Sequence, residues 1–232
     1  MEQDKIWDHF QNTAPASFDQ AAPRLNFLAG KAFAAAGKRG KVLNIGVGSG
    51  IFEAAALKLG LDCYSIDPNK TTIESLRHKL SRSGDNFKTG LIQAIPFTDG
   101  FFDAVVVSEI IEHLNKAETD AGLKEISRVL KPAGWILGTV PADENLEESV
   151  TVCPDCGRKF HRFGHEQSFT EKRVLEILER RRFEIKTIRT RPFISVKTFK
   201  WLGKTMTLLK LARFLAGLPS YGDSIYFAAV KR

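Results

Sequence analysis

The hydrophobic positions along the chain follow two periods, one typical of buried strands and one typical of helices. Short runs rich in Val, Ile and Phe predict seven strands, at Lys41–Ile45, Leu61–Ile66, Phe87–Ile92, Asp103–Val107, Trp135–Val140, Phe183–Arg189 and Tyr221–Val230. Apolar residues at helical spacing predict intervening helices, at Phe52–Leu59, Thr71–Leu80, Leu123–Leu130 and Glu171–Arg182. Strands that alternate with helices indicate an α/β fold with a doubly wound sheet, in a single domain over residues 1–232.

A glycine-rich turn follows the first predicted strand and organises the rest of the chain. Gly46, Gly48 and Gly50 lie between that strand and an Ala-rich helix. Glycines let the backbone approach a ligand closely, and the helix N-terminus beyond them offers unpaired N–H groups. Asp67 ends the second strand, where a carboxylate can accept hydrogen bonds from vicinal ribose hydroxyls. Together these features predict a nucleoside across the carboxyl edge of the sheet.

Three segments carry a resemblance to a known family. They are Val-Leu-Asn-Ile-Gly-Val-Gly-Ser-Gly at residues 42–50, Ser-Ile-Asp-Pro at residues 65–68, and Ala-Ile-Pro-Phe-Thr-Asp-Gly-Phe-Phe-Asp-Ala-Val-Val-Val at residues 94–107. They resemble class I S-adenosylmethionine-dependent methyltransferases, closest to the ubiquinone-biosynthesis-like branch. The resemblance implies a Rossmann-like, seven-stranded, mostly parallel sheet, with S-adenosylmethionine over the first glycine turn. The cofactor-binding residues it implies are Asn44, Gly46, Gly48, Gly50, Asp67, Gln93 and Ser108.

The chain departs from this family at one cofactor position. The family usually has an acid where this chain has Asn44, so the contact to the methionine amino group is expected to be altered or water-mediated. An acid often contacts the adenine just before the segment Ile95–Phe97. Here we expect backbone groups or the Gln93 amide to make that contact.

The segment Ser108–Leu114 follows the fourth strand and therefore lies at the ligand-binding edge. An unperturbed histidine such as His113 has a pKa near 6.5 and could take a proton from an acceptor hydroxyl. The Glu-x-x-Glu-His pattern also resembles the metal motif of small-RNA 2′-O-methyltransferases and ubiquinone O-methyltransferases. This resemblance implies that Glu109, Glu112 and His113 bind a divalent cation such as Mg²⁺. The alternative is that the Glu-His pair caps and packs the loop.

A second cluster of ligand-type residues lies in the segment 141–169, which we interpret as an insertion. Cys153, Cys156, His161 and His165 have the spacing C-x2-C-x4-H-x3-H, which favours tetrahedral Zn²⁺ in a structural knuckle. The alternative is a reduced cysteine pair with unrelated histidines. The segment Gly164–Thr170 also resembles a family segment whose histidine completes the Glu-x-x-Glu-His metal set. His165 can serve either site but not both, and we favour zinc.

Charge and composition add expectations about partners and location. The net charge is +7, and residues 172–232 carry 15 Lys and Arg against 4 Asp and Glu, so the remainder is acidic. The segment Lys197–Leu218 predicts a basic amphipathic helix, suited either to an anionic bilayer or to packing on the sheet with its charges in water. Residues 1–36 predict a helical cap over the cofactor mouth. Without a signal peptide or long apolar run, and with a C-x-x-C pair, the chain is expected to be cytoplasmic, with peripheral membrane contact as an option.

The sequence therefore predicts methyl transfer from S-adenosylmethionine to an oxygen or nitrogen of a small-molecule, glycan or lipid-linked acceptor. Three alternatives remain. One is an RNA 2′-O-methyltransferase that uses the Glu-x-x-Glu-His site, supported also by the basic C-terminal region. Another is a membrane-docked enzyme that acts on a lipid or a quinone. The third is a non-catalytic S-adenosylmethionine-binding protein, suggested by Asn44 and the missing adenine acid.

Overall fold

The computed structural model describes residues 20–81, 84–193 and 223–232. Its strands are β1 Lys41–Ile45, β2 Asp62–Asp67, β3 Phe87–Thr89, β4 Phe102–Ser108, β5 Leu130–Pro141, β6 Val150–Val152, β7 Lys159–His161, β8 Phe183–Arg191 and β9 Ser224–Lys231. Its α-helices are α1 Ala22–Ala36, α2 Ile51–Lys58, α3 Lys70–Lys79, α4 Lys116–Val129 and α5 Glu171–Arg180. Two short 3₁₀ helices cover Ile111–His113 and Leu146–Ser149.

Seven of these strands form one sheet in the order β3-β2-β1-β4-β5-β9-β8. The first five strands in this order run parallel, and β9 pairs antiparallel with both β5 and β8. The predicted seven-stranded, mostly parallel, Rossmann-like sheet is thus confirmed. Its β1–β4 register pairs Ile45 with Val107, which brings the glycine turn and the loop after β4 to the same carboxyl edge.

The sheet has a hydrophobic layer on each face. Along β4, Val105 and Val107 belong to one buried cluster, whereas Ala104 and Val106 belong to the other. An uninterrupted β-branched strand is typical of a parallel strand covered on both sides. The α1 helix packs on the second face, where Leu28 is fully buried. The doubly wound arrangement follows directly from this two-sided burial.

Some predicted boundaries differ from the structure. The α4 helix begins at Lys116, well before the predicted start at Leu123, because Asn115 and Glu118 form a capping box ahead of a largely polar first stretch. The β3 strand ends at Thr89 because the chain turns back between Leu91 and Ala94. Polar helical turns and tight reversals leave little hydrophobic periodicity, so the pattern alone could not place them.

The segment between β5 and α5 forms a separate two-stranded hairpin of β6 and β7. Its base is joined to the main body where Ala142 bridges Phe169. Of the predicted cap over residues 1–36, the structure describes residues 20–36, and the predicted basic helix Lys197–Leu218 lies outside the described residues. Within the described part of the chain, every helix is too short or too polar to cross a bilayer.

Candidate active site

The glycine turn after β1 has the conformation that the sequence predicts for a ligand-binding loop. Gly46, Gly48 and Gly50 have φ values of 82°, 54° and 77°, in the left-handed region that favours glycine. An added Cβ on Gly46 would lie 2.4 Å from Ile110 Cδ1, in the loop after β4. The turn therefore needs glycine for its backbone conformation, and it touches the loop that carries the predicted catalytic residues.

The carboxylate of Asp67 is fixed beside this turn. Asp67 is 2% exposed, and its Oδ2 accepts a hydrogen bond from the backbone N–H of Val47 at 2.9 Å. Its Oδ1 accepts another from the N–H of Asn69 at 2.9 Å. Each carboxylate oxygen can accept more than one hydrogen bond, so this arrangement is compatible with the predicted contact to a ribose.

Asn44 binds a buried glutamate that the sequence analysis did not single out. Its Nδ2 donates to Gly46 O at 2.9 Å and to Glu53 Oε1 at 2.7 Å, and Ser65 Oγ donates to the same oxygen at 2.8 Å. Burial raises the pKa of Glu53 above its ordinary value, against the lowering effect of these hydrogen bonds. The only sequence signal for Glu53 is that it is the one acid in the apolar α2 helix. An acid thus lies beside the glycine turn although Asn44 occupies the position where the resemblance implies one.

Gln93 and Ser108 lie at the same edge with different hydrogen-bonding states. Gln93 Oε1 is buried and has no hydrogen-bond partner among the described residues. Ser108 Oγ lies 2.8 Å from Thr139 Oγ1 and accepts from Arg24 Nε at 3.1 Å. Gln93 therefore offers a free acceptor, whereas the Ser108 hydroxyl is held by its neighbours.

Glu109 begins the loop after β4 in a strained conformation, with φ at 53°. Arg24 Nε lies 3.9 Å from Glu109 Oε1, so α1 contributes a cation to the site. No pattern in the sequence indicates this role of Arg24. Among the described residues, the Glu109 carboxylate does not join the close group of possible metal ligands described next.

Glu112, His113 and His165 form that close group, with one ligand atom from each within 4.8 Å of the others. Glu112 is 1% exposed, and neither of its carboxylate oxygens has a hydrogen-bond partner among the described residues. Burial, followed by the nearby charge of Glu109, raises the pKa of Glu112 well above its ordinary value. The structure therefore unites Glu112 and His113 with His165, as the resemblance to the Glu-x-x-Glu-His enzymes implies.

His113 ends the 3₁₀ helix and is buried against the insertion. Its Nδ1 lies 3.2 Å from the carbonyl oxygen of Gly164, and its Nε2 lies 3.9 Å from Glu112 Oε1. Burial, with a further contribution from His165, lowers the pKa of His113 to about 3. An imidazole with this pKa is neutral at physiological pH and is poorly matched to accept a proton there. The environment does not favour the predicted base role.

The predicted four-ligand zinc site is not assembled in the structure. Val150 pairs with His161 across the hairpin, so Cys153 lies three residues farther along, about 10 Å at the usual rise of a strand. Cys156 is exposed, whereas only 7% of the His161 side chain is exposed, facing Glu144. A zinc ion needs all four ligand atoms within about 2.3 Å of it, and this hairpin register separates the cysteines from the histidines.

The two cysteines do form a pair of their own. Gly157 N–H donates to Cys153 O at 2.9 Å, with φ of Gly157 at 70°, which gives the tight knuckle expected from the sequence. Hydrogen bonds from the backbone and side chain of Cys156 lower the pKa of the Cys153 thiol. Among the described residues, no histidine or carboxylate lies close enough to this cysteine pair to be a third metal ligand.

The comparison with protein families agrees with this geometry. A family model described as a methyltransferase domain matches residues 43–138, which run from β1 through the glycine turn, Asp67 and the Glu109–His113 loop into β5. Residues 43–138 are therefore similar to a methyltransferase domain, over about two fifths of the chain.

Curated relatives match the same stretch. A ubiquinone biosynthesis O-methyltransferase of Thiobacillus denitrificans is 31% identical over 99 residues, which cover 41% of this chain and 42% of that protein. A ubiquinone/menaquinone biosynthesis C-methyltransferase of Paraburkholderia phymatum is 37% identical over 102 residues, covering 42% of this chain and 41% of that one. The chain thus matches about two fifths of the length of these relatives.

Solved structures share the fold over nearly the whole chain. The 1,6-didemethyltoxoflavin-N1-methyltransferase of Burkholderia thailandensis, solved with bound 1,6-didemethyltoxoflavin and S-adenosylhomocysteine, has a TM-score of 0.68 at 17% identity. The match covers 99% of this chain and 86% of that one. The predicted cofactor residues lie within the matched range 43–138, whereas Glu144, His161 and His165 follow it. The acid–histidine cluster is therefore built partly from outside the domain.

Proposed function

We propose that this chain transfers the methyl group of S-adenosylmethionine to an oxygen or nitrogen of a small-molecule acceptor. The observation that carries the proposal is the left-handed glycine turn at the carboxyl edge, with the fixed Asp67 carboxylate on one side and the Glu112 cluster on the other. Methyl transfer is an in-line displacement, so the protein contributes mainly by positioning the two reactants.

The proposed cofactor contacts use the hydrogen-bond acceptors at this edge. Asp67 would accept hydrogen bonds from the ribose hydroxyls, as its position at the end of β2 suggests. The unpaired Gln93 Oε1 is an acceptor that suits the exocyclic amino group of adenine. Asn44 donates a hydrogen bond to Glu53 and would stabilise the glycine turn. It has no carboxylate with which to bind the methionine amino group.

We also propose that Glu112, His113 and His165 bind a divalent cation. The donor set fits such an ion because both Glu112 oxygens are buried without hydrogen bonds, a costly state that a cation would relieve. The Nδ1 of His113 faces a carbonyl oxygen and so carries the ring proton, which leaves the Nε2 lone pair beside Glu112. Two imidazoles and a carboxylate suit Zn²⁺, Fe²⁺ or Mn²⁺ better than Mg²⁺. When bound, the ion would supply Lewis acidity that orients and acidifies an acceptor hydroxyl.

The class of acceptor rests on the relatives. Those described above are named for ubiquinone and menaquinone biosynthesis, which favours a small-molecule acceptor and gives no support to an RNA substrate or to a non-catalytic role. We keep a glycan or a lipid-linked molecule as more specific proposals for the acceptor. Flotation with anionic liposomes, comparing the whole chain with a chain that lacks residues 197–218, tests membrane contact.

Calorimetry with S-adenosylmethionine and S-adenosylhomocysteine tests the central proposal. We expect both to bind the wild-type protein, and we expect Asp67→Ala to weaken them at least tenfold, about 1.4 kcal/mol, through loss of the ribose contact. Labelled S-adenosylmethionine incubated with the protein and small-molecule extracts of its source would then mark the acceptor. Absence of cofactor binding, or equal binding by Asp67→Ala, would refute the proposal.

A further inference from the structure

Glu144 lies between two histidines of the insertion, just beyond the end of β5. Its Oε2 hydrogen-bonds His165 Nδ1, and its Oε1 lies 3.6 Å from His161 Nε2. The rings of His161 and His165 are stacked with their centroids 4.8 Å apart. Glu144 belongs to neither the matched domain nor the Glu-x-x-Glu-His motif, so neither assigns it a role.

One hydrogen bond fixes the tautomer of His161. Its Nδ1 accepts from the backbone N–H of His165 at 3.0 Å, so Nδ1 holds a lone pair and the ring proton lies on Nε2. Nε2 lies 3.6 Å from Glu144 Oε1 and has no hydrogen-bond partner among the described residues. A ring nitrogen that carries a proton cannot bind a metal. His161 therefore lies beside the Glu144 carboxylate as a neighbour and not as a metal ligand.

The same reasoning fixes the tautomer of His165. An ionised carboxylate can only accept, so the contact with Glu144 requires the proton of His165 to lie on Nδ1. The lone pair then lies on Nε2, the ring nitrogen that remains for the group formed with Glu112 and His113. The His113 and His165 rings meet edge to face at 4.6 Å. The result is a chain of contacts from carboxylate to imidazole to ligand cluster.

A tight turn holds this chain in place. Gly164, with φ at 73°, donates its N–H to His161 O at 2.9 Å, which folds His165 back beside His161. The next residues are tied to the 3₁₀ helix, because Glu166 N–H and Gln167 N–H both donate to Glu112 O, at 2.8 Å and 3.1 Å. The insertion and the Glu112 loop are thus joined on both sides of His165.

We propose that Glu144, supported by His161, is a positioning residue that orients the His165 ring for metal binding, so that the insertion completes the metal site of the methyltransferase domain. The inference rests on the proposed function, specifically on the cation at Glu112, His113 and His165. Carboxylates that hold metal-binding histidines in this way typically change metal affinity by roughly 10- to 100-fold when removed. The inference also predicts one ion per chain, because the His161 nitrogen nearest Glu144, Nε2, carries the ring proton and cannot bind a second ion.

Metal titration of the metal-free, full-length protein tests the inference. Calorimetry with Mn²⁺ and with Zn²⁺ compares wild type, Glu144→Gln and the matched control Glu147→Gln, an exposed glutamate of the same insertion. We expect one ion per chain in all three proteins, with affinity reduced roughly 10- to 100-fold in Glu144→Gln only. His165→Ala should weaken binding further, since it removes a ligand.

Nitrogen-15 NMR of the histidine rings provides a readout that a merely structural role would not move. We expect His165 to be the Nδ1–H tautomer in metal-free wild type and a mixture of tautomers in Glu144→Gln, with the amide spectrum of the remaining protein unchanged. Equal metal affinities of Glu144→Gln and wild type would overturn the inference and leave the proposed cation site standing. Two ions per chain, one of them lost in Glu144→Gln, would also overturn it by making Glu144 a ligand. No ion bound by wild type would refute the cation site and this inference together, without affecting cofactor binding.

Discussion

Asp67 and Glu112 are two carboxylates at the same edge of the sheet, and they differ sharply in their surroundings. They are equally buried, at 2% and 1% exposed. Both oxygens of Asp67 accept backbone N–H groups, whereas neither oxygen of Glu112 has a hydrogen-bond partner among the described residues. A paired acid stabilises the turn it holds, but an unpaired buried acid costs free energy. The Asp67 side of this edge is therefore preorganised by the protein, whereas the Glu112 side carries a cost that a ligand can offset.

The largest change in stability is expected from two substitutions that act in opposite directions. In the absence of metal, we expect Glu112→Leu to stabilise the protein by about 1–3 kcal/mol, because it removes an unpaired buried carboxyl. We expect Asp67→Asn to destabilise it by a similar amount, because the amide NH₂ cannot accept a backbone N–H. Thermal melting would show these as shifts of about 2–4 °C per kcal/mol in a domain of this size.

Metal binding supplies the control for that pair. Mn²⁺ or Zn²⁺ should raise the melting temperature of wild type and of Asp67→Asn and leave Glu112→Leu unchanged. If Glu112→Leu melts below wild type without metal, the acid has a partner and the comparison with Asp67 fails.

A smaller effect is expected from the glycine turn. Gly46→Ala puts a Cβ in the left-handed region, at a cost of about 1–2 kcal/mol, and pushes against Ile110. We expect cofactor affinity to fall about tenfold. Gly100→Ala is the matched control, because its φ is 61° and no atom lies within 4 Å of the added Cβ. Calorimetry that finds equal cofactor affinity for the two variants would contradict a ligand-binding role for the turn.

Glu53 gives a pH-dependent prediction. Its raised pKa means that the native state keeps a proton which the unfolded chain releases, so its stabilising contribution is complete below the ordinary glutamate pKa. The contribution is lost as pH rises through the native pKa, by up to about 1.4 kcal/mol per pH unit. Glu53→Gln does not titrate, so its melting temperature should rise relative to wild type as pH increases. A constant difference across pH would show that the Glu53 carboxyl has its ordinary pKa.

The smallest effect is expected from the cysteine pair. Cys153→Ser with Cys156→Ser should change stability by no more than about 0.5 kcal/mol and leave metal stoichiometry unchanged, since the pair lies away from the histidines. If elemental analysis shows that this double variant loses bound zinc, the predicted four-ligand zinc site is correct.

The fold and the glycine turn at the sheet edge could be predicted because their signals are local. Strand β4 is a run of β-branched residues, and the glycine turn follows β1 directly, so short windows of sequence contain the whole pattern. The parallel register then brings Ile45 and Val107 side by side, which places the loop after β4 beside the turn without further information.

The rest of the site depends on orientation, which spacing does not encode. Cys153 and His161 have the spacing of a zinc knuckle, yet the hairpin register places them at different levels. Glu53 has no distinguishing pattern in the sequence, because its partners Asn44 and Ser65 lie on two other elements of the fold. Glu144 carried one available signal, its position just past the carboxyl end of β5, where ligands collect in α/β sheets.

The position of β9 has a consequence for the synthesis of the chain. Residues 224–231 pair with β5 on one side and β8 on the other. Every residue named for chemistry has left the ribosome before this strand exists, and until then both neighbouring strands present bare backbone edges that invite aggregation. Truncating mutations after the end of β8 and before Ser224 are therefore expected to yield insoluble chains, although they leave the codons of every proposed site residue intact.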